Sequence, residues 1–227
     1  MILYAIPSAL GGAPRDALPE PALRIVRSLS DFAVENAKSA RAFLGGIGMP
    51  VRELNIAVLA GDAAACLRPL REGRSLGLLS EAGCPAIADP GAALVEAAHR
   101  EGFRVVPLIG PSSIVLALMA SGLEGQRFAF CGYLPREPAE RRRRILELER
   151  RSRREQETQV FIETPYRSDA LHAALLDSCA AATRLCVAAD LTLPTESIRT
   201  RSIAEWRAAP EALGRRPAVF LLLADSR

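Results

Sequence analysis

Residues 75–91 read Ser75-Leu-Gly-Leu-Leu-Ser80-Glu-Ala-Gly-Cys-Pro85-Ala-Ile-Ala-Asp-Pro90-Gly91. The apolar run Ser75–Leu79 is too short for a helix and apolar on both faces, as a strand buried in a parallel sheet would be. A loop with two glycines and two prolines follows, and then the amphipathic stretch Pro90–Arg100. Asp89-Pro90 reads as an N-cap followed by proline at the first helical position. The next segment repeats this grammar: strand Arg104–Leu108, loop Pro107-Leu-Ile-Gly-Pro-Ser-Ser-Ile114, helix Pro111–Ser121. An earlier loop, Pro7-Ser-Ala-Leu-Gly-Gly12, follows the strand Leu3–Ile6. Repeated strand, loop and helix predict an α/β fold. Loops at the carboxyl ends of strands are where open α/β sheets bind ligands. Gly83, Gly91 and Gly110 allow close backbone approach to a ligand, and helix starts at Pro90 and Pro111 offer free N–H groups to a carboxylate.

Working outward, further strands are expected at Phe32–Val34, Phe128–Tyr133, Gln159–Ile162, Arg184–Ala188, Glu196–Arg201 and Ala218–Leu223. Helices are expected at Pro21–Leu29, Ala37–Leu44, Asp62–Arg71, Pro138–Gln156, Tyr166–Ala181 and Ile203–Ala212. Leu44-Gly-Gly-Ile-Gly48 follows a helix and reads as its C-cap, not as a nucleotide loop. From Phe128 the strands come closer together, and Arg184–Ala188 and Glu196–Arg201 form a hairpin pattern across Leu191-Thr-Leu-Pro194. The expectation is two α/β domains, 1–110 with a mainly parallel sheet and 111–227 with a mixed one.

The 227 residues are 49% hydrophobic and 24% charged, which excludes a disordered chain, a collagen and a coiled coil. No apolar run reaches the roughly 18–20 residues that cross a bilayer. The first residues lack a basic stretch and are interrupted by Pro7, so they read as a strand and not as an export signal. Cys66, Cys84, Cys131, Cys179 and Cys186 form no C-x-x-C pair, and reduced cytoplasmic thiols are the expectation. There is no G-x-G-x-x-G after a strand, no Walker loop, no G-x-S-x-G and no H-E-x-x-H. His99 and His172 lie in helical patterns and are expected to be structural; no metal is expected. The net charge is +3, and residues 136–157 hold nine arginines and six glutamates, so the basic excess lies in one segment. Glu140/Arg144, Glu147/Arg151 and Glu149/Arg153 have the favourable i,i+4 order of a solvated, salt-bridged helix. Arg141–Arg144 are the alternative, a phosphate-binding run.

The second and third loops resemble a known family. Ser80-Glu-Ala-Gly-Cys-Pro85, Asp89-Pro-Gly91, the Gly-Pro-Ser-Ser-Ile run ending at Ile114 and Ala120-Ser-Gly-Leu123 are similar to motifs of the tetrapyrrole methylase superfamily, the class III S-adenosylmethionine methyltransferases. Within it the resemblance is greatest to the branch that methylates a ribose 2′-hydroxyl of small-subunit 16S rRNA. That branch has S-D-A-G-T-P, D-P-G and P-G-P at matching spacing, and F-Y-E-S-x-x-R where this chain has Phe161-Ile-Glu-Thr-Pro-Tyr-Arg167. Gly132-Tyr-Leu-Pro135 and the closing strand also match. The departures lie in the first third: P-T-P-I-G-N-L-x-D is here Pro7-Ser-Ala-Leu-Gly-Gly-Ala, A-E-D-T-R is Val34-Glu-Asn-Ala-Lys38, and an H-x-H-N-E segment has no counterpart around 55–62.

The resemblance implies S-adenosylmethionine bound in an interdomain cleft, without a metal. By motif position the contacts would be Pro7, Leu10, Ala82, Gly83, Ile87, Ser112, Ser113 and Ile114, with Ile162, Leu191 and Pro217 from the second domain. Glu35 and Lys38 match the family's E-D-T-R position and are the favoured catalytic pair; Glu81 and Glu163 are further carboxylates for proton removal. The implied protein is a cytoplasmic homodimer acting on 16S rRNA in the small subunit. Two alternatives stay open: a methyltransferase for a planar, tetrapyrrole-like small molecule, and a cofactor-binding module without turnover.

Overall fold

The structure is a computed structural model describing residues 1–59 and 63–225. These residues form two compact units, Met1–Ser112 and Ser113–Arg227. The first carries strands β1 (Ile2–Ile6), β2 (Asp31–Val34), β3 (Asn55–Val58), β4 (Leu76–Leu79) and β5 (Arg104–Pro107) in the order β3-β2-β4-β1-β5, all parallel. Parallel neighbours need crossovers, supplied here by α1 (Pro14–Ala17) with α2 (Glu20–Arg27), α3 (Ala37–Gly46), α4 (Arg68–Arg71) and α5 (Ala92–Arg100). One core packs Leu23, Val26, Phe43 and Leu44 against Ile6 and Phe32. The other packs Leu67, Leu70, Leu94 and Ala98 against Leu3, Leu76 and Leu78. Gly77, in the central strand, is required by packing: a Cβ there would lie 2.7 Å from Ile6 Cδ1 and from Phe32 Cδ1.

At the amino edge of this sheet Asp31 is buried. It accepts from Arg74 Nε and Nη2 at 3.0 and 3.2 Å, from Asn55 Nδ2 and from Ser30 Oγ. Burial alone would raise its carboxyl, but these donors outweigh it and hold the group below the usual carboxylate range.

The second unit carries α6 (Ser113–Ser121), β6 (Phe128–Tyr133), α7 (Pro138–Glu155), β7 (Thr158–Glu163), α8 (Ser168–Ser178), β8 (Arg184–Ala189), β9 (Ser197–Ser202), α9 (Ile203–Ala208) and β10 (Ala218–Leu223). The sheet order is β6-β7-β10-β8-β9, with β6 and β7 parallel and the other pairs antiparallel, so the mixed sheet and the β8–β9 hairpin are as expected. Trp206, Phe161 and Phe220 anchor its core, the two phenylalanine rings stacked at 5.9 Å. His172 packs edge-on to Trp206 at 5.0 Å, and burial holds its imidazole below the ordinary value, in keeping with a structural role.

Several local expectations are corrected. Strand β3, with the short apolar run Ile56-Ala-Val58, is not among the expected strands: Asn55, Ala57 and Val58 are exposed, and its backbone pairing with β2 makes it an edge strand. The helix expected over Asp62–Arg71 is a 3-10 turn, Ala63–Leu67, followed by one helical turn; Asp62 lies outside the described residues. Asp89 does not cap a helix. Helix α5 starts at Ala92 after Gly91, whose φ of 133° few side chains tolerate. The proposed i,i+4 pairs on α7 are also replaced. Arg144 bonds Glu147, Arg151 bonds Glu157, and Glu149 is buried, accepting from Ala180 N–H at 2.8 Å and Thr183 Oγ1 at 2.5 Å.

Candidate active site at the carboxyl edge of the first sheet

In a parallel sheet every strand ends on the same edge, so the loops after β1, β4 and β5 converge. They are fastened together. Ser8 N–H donates to Gly83 O at 2.8 Å, Gly83 N–H returns to Ser8 O at 3.1 Å, and Ser8 Oγ donates to Ser80 O at 2.9 Å. Cys84 Sγ donates to Pro111 O at 3.4 Å, joining the second loop to the third; burial pushes its thiol up. Gly83 has φ 70°, and a Cβ there would touch Leu10 Cδ2 at 3.4 Å. Gly110 serves packing between loops: a Cβ would lie 2.5 Å from Pro7 Cβ and 2.8 Å from Leu18 Cδ2. Ala86 and Ala88 also have positive φ, 67° and 65°, so the second loop holds strained backbone between Gly83 and Gly91.

Pro7, Leu10 and Gly83 are therefore neighbours, with Ala82 and Ile87 on the same loop as Gly83. Pro7 is buried, whereas Ala82 and Ile87 are exposed. Ser112 closes the first unit; Ser113 and Ile114 open α6 of the second. Within the second unit Ile162, Leu191 and Pro217 also come together. Ile162 pairs with Val219 near the start of β10, and Asp190 N–H donates to Pro217 O at 3.1 Å.

Carboxylates collect beside the loops of the first unit. Glu35, just after β2, accepts from Glu81 N–H at 3.1 Å. Glu81 in turn accepts from Ser39 Oγ at 3.2 Å. Asp89 is pushed up to about 6 by burial first and then by the charges of Glu35 and Glu81, against a hydrogen bond from Ser80. None of the three is in an ion pair among the described residues. Asn36 caps α3, its Oδ1 accepting from Lys38 and Ser39 N–H at 2.8 and 3.4 Å. The family's aspartate would supply the same cap, so the amide here removes a charge and keeps the helix start. Lys38 stands exposed at the second position of α3.

Glu163, offered as a proton acceptor by the sequence, has a fully buried side chain that pairs with Arg167 at 2.6 Å and accepts from Thr164 N–H at 2.7 Å. It is bound in place. Asp89 was overlooked because Asp-Pro-Gly reads as a helix start; the signal available was its spacing from Glu81 on one loop. Among the described residues, no group of three or more His, Cys, Asp or Glu side chains is arranged to hold a metal ion, and no helix is long and apolar enough to cross a membrane.

This architecture is that of a known class. The sequence pattern of the Tetrapyrrole (Corrin/Porphyrin) Methylases matches residues 16–206, and the chain belongs to that family of methyltransferases. It is 32% identical over 206 residues to the ribosomal RNA small subunit methyltransferase I of Vibrio cholerae, covering 90% of this chain and 69% of that protein. It is 32% identical over 225 residues to the protein of the same name from Pseudomonas aeruginosa, covering 97% and 78%. Among solved structures the fold is similar to the methyltransferase CobJ, with a TM-score of 0.63 at 19% identity over 98% of this chain and 93% of that one. The uroporphyrin-III-C-methyltransferase from Thermus thermophilus gives 0.58 at 21%, over 98% and 94%. At these identities the structural likeness is one of fold.

Proposed function

We propose that this chain is an S-adenosylmethionine-dependent methyltransferase acting on a ribose 2′-hydroxyl of 16S rRNA in the small ribosomal subunit. What carries RNA over a planar small molecule is the 32% identity, over nine-tenths of the chain, to a protein named for small-subunit rRNA. The site supports the cofactor. Close-packed loops with backbone amides, serine hydroxyls and aliphatic walls suit a ligand with an adenine face, a ribose diol and a carboxylate. Pro7, Leu10, Ala82, Gly83, Ile87, Ser112, Ser113 and Ile114 would hold it, with Ile162, Leu191 and Pro217.

When bound, the cofactor supplies a methyl group on a sulfonium. The chain's own contribution is to position the hydroxyl and take its proton. Asp89 is the better-matched acceptor, since its raised value sits near neutral pH while leaving the group ionised there. Asp89 would take the proton that the hydroxyl oxygen gives up on accepting the methyl group, whose bond to sulfur breaks to leave a neutral thioether. Glu35 and Lys38 flank this position and orient the ribose or a phosphate. The protein is proposed to act in the cytoplasm as a homodimer.

Calorimetric titration of S-adenosylmethionine, with Gly83→Trp and Ser113→Trp as controls, tests the cofactor. Micromolar binding lost in both variants is the expected result. Transfer of labelled methyl to unmethylated small subunits tests the acceptor; label appearing only on a tetrapyrrole would overturn the RNA reading. Cofactor binding with no transfer to either would leave a binding module.

A further inference from the structure

The second unit carries an aromatic and cationic surface that no step above uses. Tyr133 ends β6 and is 55% exposed; Tyr166 follows β7 and is 79% exposed. The two strands are parallel neighbours, with Tyr133 paired in register to Ile162, so both tyrosines stand at the same edge of the sheet. A depression of about 420 Å³ between the strand ends is lined by Tyr133, Leu134, Pro135, Arg136, Glu163, Thr164 and Arg167. Arg167 is fixed there by the buried Glu163 at 2.6 Å and donates to Leu134 O at 3.4 Å. Arg215 lies over the Tyr166 ring at 5.3 Å.

The charge here is left over. Arg136 and Arg215 are exposed and in no ion pair among the described residues. The first two turns of α7 carry Arg141–Arg144, of which Arg144 alone is ion-paired among the described residues. Cations near a helix N-terminus oppose its dipole, so stability does not account for the run. Exposed aromatic rings interleaved with unneutralised guanidinium groups are what single-stranded nucleic acid requires: rings for the bases and cations for the phosphates.

We propose that this surface, built on Tyr133, Tyr166, Arg136 and Arg215, takes a single-stranded RNA segment flanking the methylated nucleotide, with one base stacked on Tyr166. It rests on the RNA reading above and adds the residues that recognise the acceptor. Tyr133 lies beside Ile162, a cofactor contact of that reading.

The test uses the full chain and a fluorescein-labelled single-stranded RNA of about 12 nucleotides, followed by anisotropy. Tyr166→Ala should weaken binding about tenfold, and Tyr166→Phe should restore it. Arg136→Ala with Arg215→Ala should flatten the slope of log K against log salt by about 1.4, at 0.7 per phosphate contact on a single strand. KM for small subunits should rise in each, with cofactor affinity unchanged. Wild-type affinity and KM in both variants would overturn the surface while leaving methylation of rRNA standing. A raised KM with unchanged RNA affinity would assign the surface to a ribosomal protein and overturn the proposal. A wild-type chain that binds cofactor but neither binds RNA nor labels small subunits would overturn the RNA reading itself, and this surface with it.

Discussion

The two units treat carboxylates in opposite ways. In the second, each buried or half-buried one is matched: Glu149 by Ala180 and Thr183, Glu163 by Arg167, Asp190 by Arg216 at 2.6 Å and Thr195 at 2.8 Å. In the first, Glu35, Glu81 and Asp89 form no ion pair among the described residues, and burial, followed by the charges of Glu35 and Glu81, raises the Asp89 carboxyl to about 6. The first unit has a matched site of its own at Asp31 and Arg74, so the fold can neutralise acids where stability is at stake. An unmatched cluster on a strained loop is the arrangement of a site, and matched acids are the arrangement of a scaffold.

The strongest way to break this comparison is Asp89→Asn. Methyl transfer should fall about 10²–10⁴-fold with cofactor affinity retained; a wild-type rate in a single-turnover assay would remove Asp89 from the chemistry. The wild-type rate should rise with pH through about 6, and that limb should vanish in the variant. The same substitution should stabilise. Because the folded value lies above the unfolded one of 3.8, the folded state retains a proton that the unfolded chain has released; the contribution is full below 3.8 and is lost as pH rises through about 6. At pH 8 Asp89→Asn should therefore gain about 1–2 kcal/mol after solvent screening, and no gain at pH 4, read by denaturant titration.

Glu163→Gln should do the reverse. It strands a partly buried Arg167, and should lose about 2–3 kcal/mol in the same titration with no shift of the pH–rate limb. A shifted limb would make Glu163 a member of the site. Gly110→Ala drives a methyl into Pro7 and should cost about 1–3 kcal/mol, with cofactor affinity lowered at least about tenfold by calorimetry; unchanged affinity would detach the third loop from the cofactor. The smallest effect is expected of Asn36→Asp. The cap survives, so stability should change by less than about 0.5 kcal/mol, while the added negative charge should move the Asp89 limb upward.

Much of this was legible because the decisive loops are bounded by apolar strands and carry Gly and Pro at fixed places. The nine strands other than β3 are read from apolar or β-branched runs. Strand β3 carries only the three-residue run Ile56-Ala-Val58 on an exposed edge, and its identity comes from pairing with β2. Gly110 was legible as a close approach but not as one toward Pro7, since the contact joins residues a hundred positions apart. Asp89 and Glu149 were misread for one reason. Their local patterns, Asp-Pro and Glu-x-x-x-Arg, are complete in themselves, and tertiary neighbours overrode them. What a polar side chain does is settled by what packs against it, and single-sequence patterns carry little of that.

The placement of β1 has a consequence for how the chain is made. β1 is synthesised before both of its neighbours, yet it lies between β4 and β5, pairing Leu3 with Leu76 and Val105. At about 5–20 residues per second it waits on the order of several seconds for its first neighbour, whereas β8 and β9 meet almost at once across a short loop. Its apolar residues Leu3 and Ile6, wholly buried in the finished sheet, are meanwhile open to other chains. Strand β1 is thus a segment that gains from being shielded by a chaperone until β4 has been made.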